Sequence, residues 1–243
     1  MTSLNGKNAH FVLIPLEGAG HLIPMTDLAC LLAEKGIHVS LITTPTPVNP
    51  SPIGPIVQRL IESNLPVQFV ELKFPSAKIG LPDENENVDH NYFIAFFEAL
   101  KLLREPLEQY LQNHHIPPSC IISDGCNPWT TEIARRFCIP RLVFHGPSCL
   151  FALCAHITSK HKILHHVTDY SEQFVVPDMP LTLRFNKAIG PSFFNAPGWE
   201  KIRDCKQKQS ERTTRRFYVV QYKVYLRPRL THTTNLFYFF LNN

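Results

Sequence analysis

The sequence predicts an α/β chain built on a doubly wound parallel sheet, followed by an irregular C-terminal tail. Three observations predict it. Short β-forming runs alternate with stretches of helical apolar spacing from residue 10 to residue 166, which is the rhythm of strand, crossover helix and parallel strand. The junctions between them carry Gly, Pro and Asp, the residues that turn a chain. A length of 243 residues with 44% hydrophobic and 18% charged residues is enough to bury a substantial core.

His10-Phe-Val-Leu-Ile-Pro15 is the first strand, ended by Gly18-Ala19-Gly20, and Leu22 to Lys35 has apolar residues at helical spacing. Gly36 is placed to close that helix in the left-handed conformation, and Ile37 to Thr43 follows as the second strand. After a proline-rich turn, a helix is expected from about Ile53 to Asn64, and Val67 to Leu72 alternates as a strand. Pro75 to Asp89 has no periodicity and reads as a long surface loop. Tyr92 to Gln112 is the strongest helical segment. Cys120 to Ser123 is a strand ending at Asp124, Pro128 to Phe137 a helix with proline in its first turn, Ile139 to Phe144 a strand, and Cys149 to His166 a helix.

From about Asp204 the character changes. The basic, aromatic stretch from Lys206 shows neither a clear helical stripe nor a convincing core strand, so residues 8–204 read as one domain and 205–243 as an aberrant, poorly ordered tail. The formal net charge of +4 gathers in that tail rather than on a folded face, and no nucleic-acid-binding motif accompanies it. The N-terminus lacks the apolar stretch of a secretory signal, and no run approaches the about 20 apolar residues of a membrane span. A soluble, cytoplasmic protein is expected. Seven cysteines without a CxxC pair suit reduced core thiols, among them Cys30, Cys120, Cys138 and Cys154. The pairs His114-His115 and His165-His166 lack ligands at zinc spacing and are read as solvated, with the two rings of each pair pointing to different sides. No metal is expected.

In open α/β sheets ligands gather at the carboxyl ends of the strands. Two polar residues fall there. His21 lies in the loop after the first strand, beside Gly18 and Gly20, and Asp124 lies just past the strand ending at Ser123. A histidine held at one ring nitrogen by a carboxylate is a general base, able to deprotonate an alcohol. A packing or capping histidine is the plainer alternative. A dinucleotide site is disfavoured: Gly18-Ala-Gly-His-Leu-Ile-Pro24 lacks the third glycine of GxGxxG, and the second strand ends in Thr43-Thr44 with no acid for a ribose hydroxyl.

Several segments, in order, resemble the N-terminal domain of plant family-1 UDP-dependent glycosyltransferases: His10 to Pro15, Gly20-His-Leu-Ile-Pro-Met25, Asp27 to Gly36, His38 to Pro45, Ile121-Ile-Ser-Asp-Gly-Cys-Asn-Pro-Trp-Thr130, Ile139 to Gly146 and Phe174 to Pro180. The resemblance covers residue 8 to about residue 204. It implies a GT-B architecture with a Rossmann-like acceptor-binding domain, and sugar transfer from a UDP-sugar, glucose being the expected sugar, to a hydroxyl of a small hydrophobic plant metabolite, with inversion and no metal. By the same resemblance His21 is the base and Asp124 its orienting acid. Gly20, Phe93, Phe97, Trp129, Phe144, His145 and the stretch Pro191 to Phe194 become candidates for the acceptor pocket, with core packing as the alternative for each aromatic.

Two departures stand out. Where the family often has Met-Ala-Gln-Gly-His, this chain has Glu17-Gly-Ala-Gly-His21. The family's donor signature, with its His-Cys-Gly-Trp-Asn-Ser core, does not occur. The expectation is a truncated chain, with no tightly bound cofactor and the main UDP-sugar site missing. Such a chain is inactive alone, or is a binding module for a hydrophobic metabolite or a full-length relative.

Overall fold

The computed structural model describes residues 9–44, 62, 64–75, 90–144, 146, 153–154, 157–158, 160–179, 181–188, 217–222 and 235–240, with backbone alone at 90–94, 165, 217–222 and 235–240. One compact unit comprises Met1–Gly146, Arg215–Val219 and Tyr238–Asn243, and a second comprises Pro147–Thr214 and Val220–Phe237. The first unit carries β1 (His10–Ile14), α1 (Ala19–Glu34), β2 (His38–Thr43), β3 (Val67–Glu71), α2 (His90–Lys101), α3 (Arg104–Asn113), β4 (Cys120–Asp124), α4 (Thr130–Arg136) and β5 (Arg141–Phe144). Its five strands are all parallel in the order β3-β2-β1-β4-β5. The chain winds outward from β1 to β3 on one side and from β4 to β5 on the other, so β1 and β4 are neighbours at the switch point of a Rossmann-like sheet.

Burial on both faces favours strands that are largely apolar, with their polar residues hydrogen-bonded. β4 is buried at all five positions and β2 at five of its six. One face of the sheet is covered by a cluster that joins Val12, Ile14, Ile42 and Ile121 to Phe96, Leu100, Leu103, Leu107 and Leu111 from α2 and α3 and the segment between them, with Ile133 from α4. Across α1, Leu22, Met25, Ala29 and Ala33 are buried at helical spacing. Its end is closed as the sequence predicts: Gly36 has φ 78°, its N–H reaches the Ala33 carbonyl at 2.8 Å, and the Ile37 N–H reaches Leu32 at 3.3 Å. α4 ends in the same motif with Cys138 at φ 53° in the glycine position. Cys138 is exposed there, which corrects its reading as a core thiol.

Two helices differ from expectation. The single helix predicted from Tyr92 to Gln112 is interrupted at Leu102-Leu103, because Pro106 has no N–H for the Leu102 carbonyl and its ring would crowd that oxygen. The first helix begins at Ala19 rather than Leu22 and keeps Pro24 inside it. The predicted helix from Ile53 to Asn64 and most of the loop from Pro75 to Asp89 lie outside the described residues.

At the amino ends of the strands, buried His10 donates from Nδ1 to the Ile116 carbonyl at 2.9 Å and pairs through Nε2 with Ser40 Oγ at 2.7 Å, and Ser40 Oγ lies 2.7 Å from the Tyr110 hydroxyl. His114 stacks on His10 at 4.3 Å and on His115 at 4.6 Å. The adjacent histidines therefore stack on one another instead of diverging. His166 is exposed, and the side chain of His165 lies outside the described residues.

In the second unit the expected helix from Cys149 to His166 is helical at its described positions up to Lys160, turns at His161-Lys162, and resumes as α5 (Ile163–His166). β6 (Phe174–Val175) and β7 (Arg184–Phe185) pair antiparallel around buried Val176. In the stretch where the sequence gives no convincing core strand, β8 (Phe217–Tyr222) and β9 (Asn235–Phe240) form a two-stranded sheet; both are runs of aromatic and aliphatic β-formers. Among the described residues no helix is long and apolar enough to cross a membrane.

Candidate active site

β1 and β4 are paired up to Ile14 and Ser123, and the two segments that leave this edge carry His21 and Asp124. Gly18 caps α1 with φ 142°, a conformation that disfavours a side chain, and its carbonyl accepts the N–H groups of His21 at 3.0 Å and Leu22 at 2.9 Å. His21 is thereby fixed in the first turn of α1, not in the preceding loop. Asp124 is the last residue of β4 and is 2% exposed.

Nδ1 of His21 lies 2.7 Å from Oδ2 of Asp124. The other carboxylate oxygen accepts the Cys126 backbone N–H at 2.7 Å. Burial alone pushes the Asp124 carboxyl up, but the hydrogen bond and charge of His21, with the Cys126 N–H, outweigh it and hold the group below the usual carboxylate range. An ionised carboxylate can only accept, so Nδ1 of His21 is a protonated nitrogen, and in the neutral ring Nε2 is the one that carries the lone pair. The His21 side chain retains 32% exposure. The pair can take a proton from a hydroxyl and stabilise the imidazolium that results.

Around it lie residues that no sequence motif marks. Arg141 donates from Nε to Ser123 Oγ at 2.9 Å and to Thr130 Oγ1 at 2.7 Å, and from Nη2 to the Asn127 carbonyl at 3.2 Å. Burial pulls its guanidinium down to about 10, against the opposing attraction of Asp124. Gly146 packs so closely that a Cβ there would stand 3.0 Å from the Gly20 carbonyl oxygen. Glu17, which the sequence marked only as a departure, is buried; its Oε1 accepts the Thr44 N–H at 2.6 Å, and its Oε2 has no hydrogen-bond partner. Burial pushes its carboxyl up, against the hydrogen bonds from Thr44. None of these contacts has a sequence motif.

The pocket candidates divide. Gly20 is exposed, with open space where a Cβ would sit. Trp129 and Phe144, at 7% and 1% exposure, are interior, Trp129 within the main apolar cluster. Phe97 packs half-buried against the same cluster. Phe93 lies on α2, but its side chain, like His145 and the stretch Pro191 to Phe194, is outside the described residues. A cavity of about 210 Å³ opens at the opposite edge of the sheet, lined by His10, His38, Gln68, His114 and His115. There Gln68 Oε1 accepts from Tyr110 and His114, and both ring nitrogens of His10 are engaged. Among the described residues no group of three or more His, Cys, Asp or Glu side chains is arranged to hold a metal ion.

No family model matches the chain. It is 39% identical over 201 residues to UDP-glycosyltransferase 73C11 of Barbarea vulgaris, covering 80% of this chain and 40% of that protein. With UDP-glycosyltransferase 73C5 of Arabidopsis thaliana it shares 39% over 209 residues, covering 83% and 42%. Among solved structures, Glycyrrhiza uralensis UGT73P12, complexed with glycyrrhetinic acid 3-O-monoglucuronide, superposes with a TM-score of 0.69 at 20% identity, over 89% of this chain and 44% of that one. Apo UGT2 of Phytolacca americana gives 0.60 at 17%, over 83% and 43%. These structural likenesses establish the fold. The chain spans about 40% of the length of the curated relatives it matches.

Proposed function

We propose, because this chain belongs to the plant UDP-glycosyltransferases over the stretch it shares with them, that it supplies the acceptor side of sugar transfer from a UDP-sugar to a hydroxyl of a small hydrophobic metabolite. The observation that supports this reading is the 2.7 Å bond between His21 Nδ1 and buried Asp124. Nε2 of His21 takes the proton of the acceptor hydroxyl as its oxygen attacks the anomeric carbon from the face opposite the departing UDP, so the configuration inverts. Asp124 stays ionised and balances the imidazolium. A base so placed contributes about 10²–10⁴ in rate. The remainder comes from positioning and from charge stabilisation on the diphosphate, which this reading assigns to protein outside the shared stretch.

Glucose is the proposed sugar, without a tightly bound cofactor or metal. Five free thiols among the described residues suit a reducing compartment, and the reading places the chain in the cytosol.

A second reading is that this stretch binds the hydroxylated metabolite without turnover. Both are tested by titrating the 243-residue chain with hydroxylated hydrophobic compounds while following tryptophan fluorescence, then adding UDP-glucose and analysing for glucoside by mass spectrometry. Saturable binding without product is expected. Absence of binding across the panel contradicts the acceptor assignment, and product formation shows that these residues suffice for transfer.

A further inference from the structure

We propose that Asn127 is the positioning residue that holds His21 and Asp124 at hydrogen-bonding distance. The paired register between β1 and β4 runs to Ile14 and Ser123, and two chain segments continue from it, one through Pro15 and one through Asp124. Asn127 bridges them. Its Nδ2 donates to the carbonyls of Ile14 at 3.2 Å and Pro15 at 2.9 Å, on the segment that leads to His21. Its backbone N–H donates to the Asp124 carbonyl at 2.9 Å, on the segment that carries the acid.

Chemistry fixes which way the amide faces. Carbonyls only accept and an indole N–H only donates, so the NH₂ must point at Ile14 and Pro15 and Oδ1 must take the Trp129 Nε1–H, 3.3 Å away. The carbonyl of Asn127 is also engaged, accepting Thr130 Oγ1 at 2.7 Å and Arg141 Nη2 at 3.2 Å. With 1% exposure, the residue has no water to substitute for these partners. An apolar residue of the same size would leave the Pro15 carbonyl and an indole N–H without partners, and would remove the tie that continues the ladder toward the His21–Asp124 pair. Only an amide meets both demands: two donors toward β1, one acceptor toward Trp129.

The inference rests on the reading of His21 as the base, but its test reads the His21–Asp124 bond without any transfer reaction. In the ¹⁵N-labelled chain, His21 is assigned by its disappearance in His21→Ala. The expected wild-type signature is a downfield Nδ1–H with an unprotonated Nε2. In folded Asn127→Leu the downfield proton is lost and the two tautomers mix; a residue important only for stability would lower the melting temperature and leave that signature unchanged. If Asn127→Leu does not fold, Trp129→Phe decides, since it removes the N–H that orients the amide and keeps most of the ring volume. Broadening of the Nδ1–H signal supports the proposal, and an unchanged signal overturns it. Loss of transfer in His21→Ala bears on the base alone, so the two failures are told apart.

Discussion

Asp124 offers one carboxylate oxygen to Nδ1 of His21 and the other to the Cys126 N–H, each at 2.7 Å. Asp124→Asn breaks this arrangement in a definite direction. The amide has one acceptor, and the Cys126 N–H requires it, so the NH₂ turns to His21 and donates to Nδ1. The proton then moves to Nε2, where a base needs a lone pair. The expected outcome is a reversed His21 tautomer in the ¹⁵N spectrum; an unchanged tautomer contradicts the assignment.

His10 sets the acid limit of the fold. Burial lowers its pKa from 6.5 to about 4, helped by the neighbouring histidines and opposed by the Ile116 carbonyl. The unfolded chain therefore binds a proton that the folded chain refuses, and stability falls as pH drops from 6.5 toward 4. The loss amounts to about 3 kcal/mol by linkage. Asp124, held below its usual range, adds a further loss at lower pH, where protonation of the folded state removes its contribution. Urea unfolding at pH 7 and pH 4.5 checks this, with His10→Gln expected to flatten the slope between them.

Glu17 runs the other way. Its carboxyl is pushed up by burial, so the native state resists ionisation, and stability falls as pH rises from 4.5 through the raised value. Glu17→Gln keeps an acceptor for the Thr44 N–H and removes the buried charge. Its effect on stability is expected to be more favourable at pH 7.5 than at pH 4.5. Equal effects at both values would show that the charge is not the cause.

The two glycines that meet beside His21 respond oppositely to alanine. At Gly146 the new Cβ would stand 3.0 Å from the Gly20 carbonyl oxygen, a backbone atom that cannot swing aside. Gly146→Ala is expected to cost about 1–3 kcal/mol. At Gly20 nothing lies within 4 Å, and alanine favours the first turn of α1, so Gly20→Ala is expected to be neutral or stabilising by up to about 1 kcal/mol. Thermal melts of the two variants separate these outcomes.

The five-strand sheet was legible because the central strands β1, β2 and β4 are largely apolar runs while β3, at the edge, alternates as a half-exposed strand does, and the strand ends then located His21 and Asp124. The break at Leu102-Leu103 was hidden because Phe96, Leu100, Leu103, Leu107 and Leu111 keep one apolar stripe across both helices; only Pro106 marks it. The early start of α1 was masked by Pro24, whose missing N–H argues locally against a helix there. Asn127 was invisible for a different reason. Its side-chain partners Ile14 and Pro15 are backbone carbonyls more than a hundred residues away, and no spacing rule links them. Trp129 and Phe144 illustrate the limit of composition: an aromatic near the rim looks the same in sequence whether it faces a ligand or the core.

The most direct measurement is acceptor glycosylation by this chain joined to the remaining portion of a plant relative, comparing His21→Ala with wild type. The expected kcat of His21→Ala is lower by about 10²–10⁴ with KM little changed, since the base acts in the transition state rather than in binding. A kcat for His21→Ala equal to that of wild type would contradict the assignment of His21 as the base.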